Sequence, residues 1–266
     1  MRDMVNKVFR YIKVWLMMSR NAFLVTLSNK VLLFIFLIGK VLRFGFFISF
    51  LFFIVRGSDG IAGYNLNQAA FFFLTFSLID VVAQFLFREV YRFRHKVVRG
   101  DLDLILAKPF NPLFRVLFGG ADIIDLVTIP PLFVATYYVG NMLSPEPIQV
   151  LFYLGLIFNG LLIATAFHIL VVSMAIITFE IDHSIMIYRD MTNLGRFPVD
   201  IYKEPLRGIL TYLIPVGVMI TLPAKALMGF VSPLGVFLSL AFGIILITLS
   251  IKFWNHAIKQ YTSASS

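Results

Sequence analysis

The sequence predicts an all-α integral membrane protein with six transmembrane helices, and two observations support this. First, 59% of the 266 residues are hydrophobic and only 14% are charged, whereas the surface of a soluble domain carries roughly a quarter charged residues. Second, the charges lie in clusters that separate apolar runs, and about 20 apolar residues are enough to cross a bilayer. Composition and spacing therefore agree on a multi-pass membrane protein.

Several function classes are excluded by what the sequence lacks. Cysteine is absent, which excludes disulfides, thiolate metal sites and a cysteine nucleophile. No zinc-ligand spacing and no phosphate-binding glycine loop occurs, so we expect no metal, no cofactor and no catalytic residue in this chain. The net charge of +9 comes from bases at the ends of apolar runs, which indicates membrane topology rather than a nucleic-acid partner.

Residues 1–30 predict an amphipathic helix that lies on the cytoplasmic leaflet. Bases and apolar residues alternate there at helical spacing: Arg2, Lys7, Arg10, Lys13, Arg20 and Lys30 among Val5, Phe9, Ile12 and Leu16. No cleavable signal peptide is expected. Residues 31–266 are predicted to form one transmembrane domain.

Apolar runs predict five of the six spans directly. They are 31–55, 68–87, 116–139, 148–178 and 234–254. The densest basic cluster, 88–115, lies between the second and third spans, so the positive-inside rule places it and both termini in the cytoplasm. Pro130 and Pro131 are expected to kink the third span.

The remaining region, 179–233, allows two topologies. In one, 179–205 is a cytoplasmic loop and the fifth span is 206–230. In the other, 181–197 is a short, rather polar fifth span, and 198–233 is a re-entrant hairpin on the outside that Pro215 and Pro223 interrupt.

Charged residues within the predicted spans are costly unless they are paired or hydrated, and five of them are candidates for a role. Lys40 and Arg43 share a face of the first span, Asp80 lies in the second, and Asp122 and Asp125 share a face of the third. The acids predict either the charge path of an ion-coupled carrier or channel, or structural ion pairs with the cations. Cations in a neighbouring span favour the ion pairs.

The stretch "RGDLDLILAKPFNP", residues 99–112, is a polar element between two spans. Gly100 and Pro109 bracket it, and Asp101 and Asp103 suit the positive end of a helix dipole. Four residues are more apolar than an idle loop needs: Leu102, Leu104, Ile105 and Leu106. The residues predict a short amphipathic helix that either docks into a soluble partner or lies on lipid.

This stretch resembles the "GxLDxxLxxP" pattern that follows the second span in the permeases of ABC-2 type transporters, in their small six-span branch. Here the pattern reads Gly100, Leu102, Asp103, Leu106 and Pro109. Three further stretches resemble the same branch: 60–68, 196–229 and 253–266. The resemblance therefore covers essentially the whole chain in order.

The resemblance implies a half-transporter that pairs with a second permease, like or unlike, and with a separate cytoplasmic ATPase subunit that would bind ATP and magnesium. It implies a coupling helix at 97–107, and it favours the re-entrant topology. The ATPase-coupling residues would be Gly100, Asp101, Leu102, Asp103, Leu104, Leu106 and Pro109. The re-entrant region would include Pro198, Tyr202, Pro215 and Pro223.

We therefore expect a permease subunit of an ABC exporter in the plasma membrane of a prokaryote. One alternative is the ion-coupled carrier or channel, which would show flux without an ATPase. Another is a membrane enzyme acting on lipids, for which only the polar cluster at 180–190 offers acids and a histidine, in a spacing that matches no reaction.

Overall fold

The computed structural model describes residues 2–57, 62–178 and 182–261 as helices and connecting turns, with no strand in these ranges. The α-helices are α1 (Arg2–Leu27), α2 (Lys30–Gly57), α3 (Leu66–Phe87), α4 (Phe93–Val98), α5 (Asp101–Leu106), α6 (Pro112–Leu117), α7 (Ile123–Met142), α8 (Pro147–Thr178), α9 (Asp182–Asn193), α10 (Leu206–Gly208), α11 (Leu222–Leu227) and α12 (Pro233–Gln260). Parts of the predicted outer loop (58–61), of the polar cluster (179–181) and of the tail (262–266) lie outside the described residues.

Five helices of the described chain are long and apolar enough to cross a membrane, namely α2, α3 with its continuation to Val98, α7, α8 and α12. A sixth candidate is a pair of segments, Leu206–Leu213 and Gly217–Leu227, which meet at an angle of 74°. We call it the bent pair. These helices confirm the predicted all-α membrane fold with five to six spans.

The third span begins later than predicted. The sequence predicts its start at 116, but α6 ends at Leu117 and α7 begins at Ile123. Asp122 has an extended backbone and accepts a hydrogen bond from the Ile124 N–H (2.8 Å), so it caps α7 instead of lying within it. Helix α7 continues through Pro130 and Pro131.

The core forms where α8 packs between α3, α12 and the bent pair. Small and polar residues permit this close packing. Gly160 of α8 approaches the Met219 carbonyl oxygen, and the Asn159 amide of α8 donates to the Ser239 carbonyl oxygen of α12 (2.9 Å). Gly243 of α12 faces the same Asn159. Helix α8 therefore organises the transmembrane domain.

Helix α1 lies against the end of the bundle at which α5 and α6 lie. The Tyr11 ring stacks on Phe110 (4.4 Å between centroids) and meets Phe114 edge-on. The Ser19 hydroxyl accepts the N–H of Ala121 (3.2 Å). The apolar residues of α1 that point away from these contacts are exposed, as an interfacial helix requires.

Candidate functional site

The element between the second and third spans is broken at one glycine. Gly100 has a backbone φ of +76°, in the left-handed region that favours glycine, and it separates α4 from α5. The helix predicted at 97–107 is therefore shorter, running from Asp101 to Leu106, because a left-handed residue cannot continue the helix.

One side of α5 is buried in the chain's own core. Leu102 is completely buried, Ile105 is nearly so, and both belong to the same apolar cluster as Val97, Val116 and Trp254. Leu102 therefore anchors α5 to the bundle. The sequence places it among residues facing an ATPase, but the structure turns it inward.

The other side of α5 is open. Asp101 and Leu104 are exposed, and their spacing of three residues places them on one face of α5. Lys108, just beyond the end of the helix, is exposed as well. Leu104 is 65% exposed, which is unusual for a leucine at the centre of an ordered turn. Pro109 is exposed, whereas Leu106 is half-buried. The outward face consists of an apolar centre between an acid and a base.

Several contacts fix this element to the rest of the chain. Lys96 forms an ion pair with Glu89, and Arg88 at the end of α3 pairs with Asp122 (3.2 Å). The Asn111 side chain accepts the N–H of Phe114 (3.0 Å) and so begins α6. Phe110, which follows α5, stacks on α1, so α5 is connected both to the spans and to the N-terminal helix.

The three acids predicted within the spans have separate partners. Asp125 forms an ion pair with Lys40 that joins α7 to α2. Asp122 caps α7 and pairs with Arg88, and Asp80 accepts a hydrogen bond from Gln84 (2.8 Å). Asp125 and Asp122 therefore match the ion-pair interpretation, and the three acids do not form one aligned charge path. In the described ranges, no group of three acids and histidines could hold a metal.

Two arginines lie within electrostatic range of each other beside the second span. Arg43 lies at the midpoint of α2, is exposed, and has no ion pair within the described part of the chain. Arg196 donates to the Asn193 carboxamide oxygen (2.8 Å), and its guanidinium lies 5.8 Å from the Phe76 ring centroid. Sequence reasoning selected Arg43 but missed Arg196, because only the fold brings residue 196 near α2.

A second polar cluster closes the opposite end of the bundle. The Asp200 carboxylate contacts the Lys225 ammonium (2.6 Å), the Arg207 guanidinium (3.0 Å) and the Tyr64 hydroxyl (3.0 Å). Burial raises the pKa of Asp200, but the hydrogen bond and charge of Lys225, with help from Tyr64 and Arg207, outweigh burial and hold that pKa below its ordinary value. Both segments of the bent pair are thereby tied to one carboxylate.

The residues predicted for the re-entrant region surround this cluster. Pro198, Pro215 and Pro223 are buried, and the Tyr202 hydroxyl donates to the Leu194 carbonyl oxygen (2.9 Å). Pro215 lies between the two segments of the bent pair, where its missing N–H and fixed φ suit a break.

A family model described as "ABC-2 family transporter protein" matches residues 40–265. The chain belongs to this family. It is accordingly a permease component of an ABC transporter, and the family associates with ABC ATPase subunits in general. The resemblance found in the sequence is thus confirmed. No curated protein and no solved structure matches the chain closely enough to name a relative.

The matched range places every candidate site of this ABC-2 permease inside the family region. It includes α5, the two arginines and the Asp200 cluster, whereas α1 precedes it. Proteins of this family are the membrane components of transporters. A site made of packing contacts and charged side chains agrees with that role.

Proposed function

We propose that this ABC-2 permease is the transmembrane subunit of an exporter, that it forms the translocation pathway with a second permease, and that separate ATPase subunits drive it. The observation that carries the proposal is the two-sided α5. Its Leu102 side is anchored in the bundle, and its Asp101–Leu104 face, with Lys108 after it, is open. A short helix of this kind can insert into a groove of a soluble subunit.

The contacts of α5 suggest how its displacement reaches the spans. Leu102 and Ile105 share a buried cluster with Trp254 of α12, so a push on α5 is transmitted to the last span. Phe110 stacks on Tyr11 of α1, and α1 leads directly into α2. ATP binding would close two ATPase subunits, move α5 and tilt α2, and hydrolysis would reset the arrangement.

The geometry of the bent pair supports the re-entrant topology. Arg207 near one end and Lys225 near the other reach the same Asp200 carboxylate, which also bonds Tyr64 at the start of α3. In a hairpin, both ends lie at the same side of the bundle, as Arg207 and Lys225 do here. The two ends of a single span would lie at opposite sides. With α5 in the cytoplasm, this hairpin would enter from the outside, and the short segment from α9 to Asp200 would be the fifth crossing.

Co-purification tests the proposed function. The tagged chain is isolated in mild detergent as wild type, as Leu104→Asp and as Met142→Asp. Leu104→Asp puts a charge on the open face without disturbing the core, because Leu104 is exposed. Met142→Asp is the matched control, because Met142 is an exposed apolar residue at the far end of α7. We expect a nucleotide-hydrolysing subunit with the wild type and the control, and its loss with Leu104→Asp.

Two results would contradict the proposal. Full retention of the ATPase by Leu104→Asp would place its docking site elsewhere than α5. Absence of any ATPase from the wild type, together with flux in its absence, would favour a carrier or channel. Leu102→Asp would be a poor test, since it charges a completely buried position and measures folding.

A further inference from the structure

Arg43 is in a position that lipid alone does not stabilise. It lies about 20 Å from either end of α2, at about 1.5 Å per residue, so its side chain cannot reach the headgroups at either surface. An arginine at this depth requires a counter-charge or a water-filled cavity. Its neighbour Lys40 already has Asp125, and the described residues offer Arg43 no ion pair.

Arg196 lies in the turn that packs against α2 near Arg43. One turn after Arg43, the Phe47 ring lies 5.5 Å from the ring of Phe197, which places α2 against the turn that follows α9. Arg43 and Asp80 both lie within electrostatic range of Arg196. The Arg196 Nε–H is buried and has no hydrogen-bond partner in the described chain. A buried guanidinium N–H without an acceptor indicates that a group is missing from this place.

The charges at this depth do not balance. Two arginines lie here, and among the described residues Asp80 is the acid within electrostatic range of Arg196. Its hydrogen bond to the neutral Gln84 amide leaves its single negative charge in place, so one positive charge is not matched. A second copy of this chain would bring the same two arginines, so an interface between identical copies would add repulsion instead of a counter-charge. An anionic ligand would supply the missing negative charge. Phosphate and carboxylate are the anions that a guanidinium binds best, through two parallel hydrogen bonds.

Aromatic side chains surround the two arginines. Phe47 stacks on Phe73 (4.1 Å between centroids), and Phe50 and Phe76 extend the same group. Phe50 is about half-exposed on α2. A site with a cationic centre and aromatic walls suits a molecule with an anionic group and an apolar body.

We propose that Arg43 and Arg196 bind the phosphate or carboxylate group of an anionic amphiphile that this transporter carries. The proposal rests on the proposed function, since the surface formed by α2, α3 and the turn after α9 would be one wall of the translocation pathway. It names a substrate class: amphiphiles with an acidic group, in preference to zwitterionic, neutral or cationic ones of the same length.

The test uses the full chain with its ATPase subunit in nanodiscs of zwitterionic lipid. The probe is a fluorescent fatty acid, and a fluorescent alkylamine of equal length is the comparison. Binding is measured for wild type, Arg43→Gln, Arg43→Lys and Arg196→Gln. Arg56→Gln is the matched control, because Arg56 is an exposed arginine on the same helix, near its end, over the Phe52 ring.

We expect the wild type to bind the fatty acid at least about tenfold more tightly than the amine, and each Arg→Gln change to weaken that binding by about tenfold. Arg56→Gln should bind nearly as wild type does, and Arg43→Lys should fall between wild type and Arg43→Gln, because lysine keeps the charge but not the two parallel hydrogen bonds. Dodecyl phosphate should displace the fatty acid, whereas inorganic phosphate should not. Displacement by inorganic phosphate at low millimolar concentration would overturn the amphiphile assignment.

Equal binding of acid and amine, or unchanged binding by Arg43→Gln and Arg196→Gln, would overturn the proposal. Unchanged binding by the two Arg→Gln variants would mean that an acid of an unlike partner permease neutralises Arg43. Association of the ATPase is measured in the same samples. If the ATPase is retained while charge selectivity is absent, only this inference fails, whereas a wild type without any ATPase contradicts the proposed function.

Discussion

The first span α2 and the fourth span α8 are both long and apolar, yet the chain holds them differently. None of the most apolar 18-residue stretch of α2 is buried within the chain, against 61% for α8. Helix α8 carries small residues where neighbours approach, and α2 carries phenylalanines that point outward. The comparison teaches that hydropathy identifies a span but does not tell whether the span builds the core or presents a surface.

The difference has a physical origin in side-chain size and polarity. Lipid tails are as apolar as leucine, so spans associate through close packing and internal hydrogen bonds. Gly160 gives α8 close packing, and Asn159 gives it an internal hydrogen bond. Gly39 and Gly45 of α2, in contrast, have no neighbour within 4 Å of an added Cβ. Helix α2 therefore depends on a few contacts, and it is free to move when α1 and α5 are displaced.

The largest effect is expected from Lys40→Met, because it removes the ion pair that ties α2 to α7. Asp125 would then be a buried carboxylate without its cation, which typically destabilises by about 3–5 kcal/mol. Thermal unfolding in detergent measures the loss. The double variant Lys40→Met/Asp125→Leu should recover most of it. No recovery would mean that α2 is held by contacts other than this pair.

A smaller effect is expected from Gly160→Val in α8. A Cβ there would lie 2.5 Å from the Met219 carbonyl oxygen, so the bent pair would have to shift, at a cost of about 1–3 kcal/mol. Gly155→Val on the same helix is the control, because a Cβ at that position meets nothing within 4 Å. Gly45→Val in α2 should resemble the control. Equal melting temperatures for Gly160→Val and Gly155→Val would contradict the central role of α8.

A still smaller effect is expected at the outer cluster. Asp200→Asn should destabilise the chain by roughly 1–2 kcal/mol, because Lys225 and Arg207 lose their shared partner. The folded-state pKa of Asp200 is lowered. Its stabilisation is therefore present above the ordinary carboxyl pKa and is lost as the pH falls through the lower folded value. The difference between wild type and Asp200→Asn should shrink at acidic pH, and a constant difference would exclude the ion pairs as its cause.

Much of the fold could be predicted from the sequence, because spans and charges follow from local composition. The long apolar helices are present, and the pairing of Asp125 with Lys40 agrees with the ion-pair interpretation. Asp122 was wrongly placed within a span, since a cap cannot be recognised before the preceding Gly119–Gly120 break is known.

The sites were less accessible to sequence reasoning. Which face of α5 is buried depends on how α4 and α6 pack against it and on the buried cluster that it joins, so the inward direction of Leu102 could not be predicted. Gly100 at the start of the motif did indicate the break. Arg196 had no local signal, because its importance arises from the packing of Phe197 against Phe47 of α2.

The most direct test of the central claim, that α2 presents one face to a hydrated pathway, is thiol labelling. The chain has no cysteine, so single cysteines can be introduced without background. Phe50 lies on the same face of α2 as Arg43, and Phe52 lies roughly opposite at nearly the same depth, because successive residues are rotated by about 100°. Both side chains are at least 40% exposed within this chain.

The measurement is the rate at which a membrane-impermeant maleimide modifies Phe50→Cys and Phe52→Cys in the reconstituted transporter, with and without ATP. Our account predicts that Phe50→Cys reacts much faster and that ATP changes its rate, while Phe52→Cys remains unreactive in lipid. Equal, ATP-independent rates at the two positions would show that α2 is surrounded by lipid, and would contradict the account.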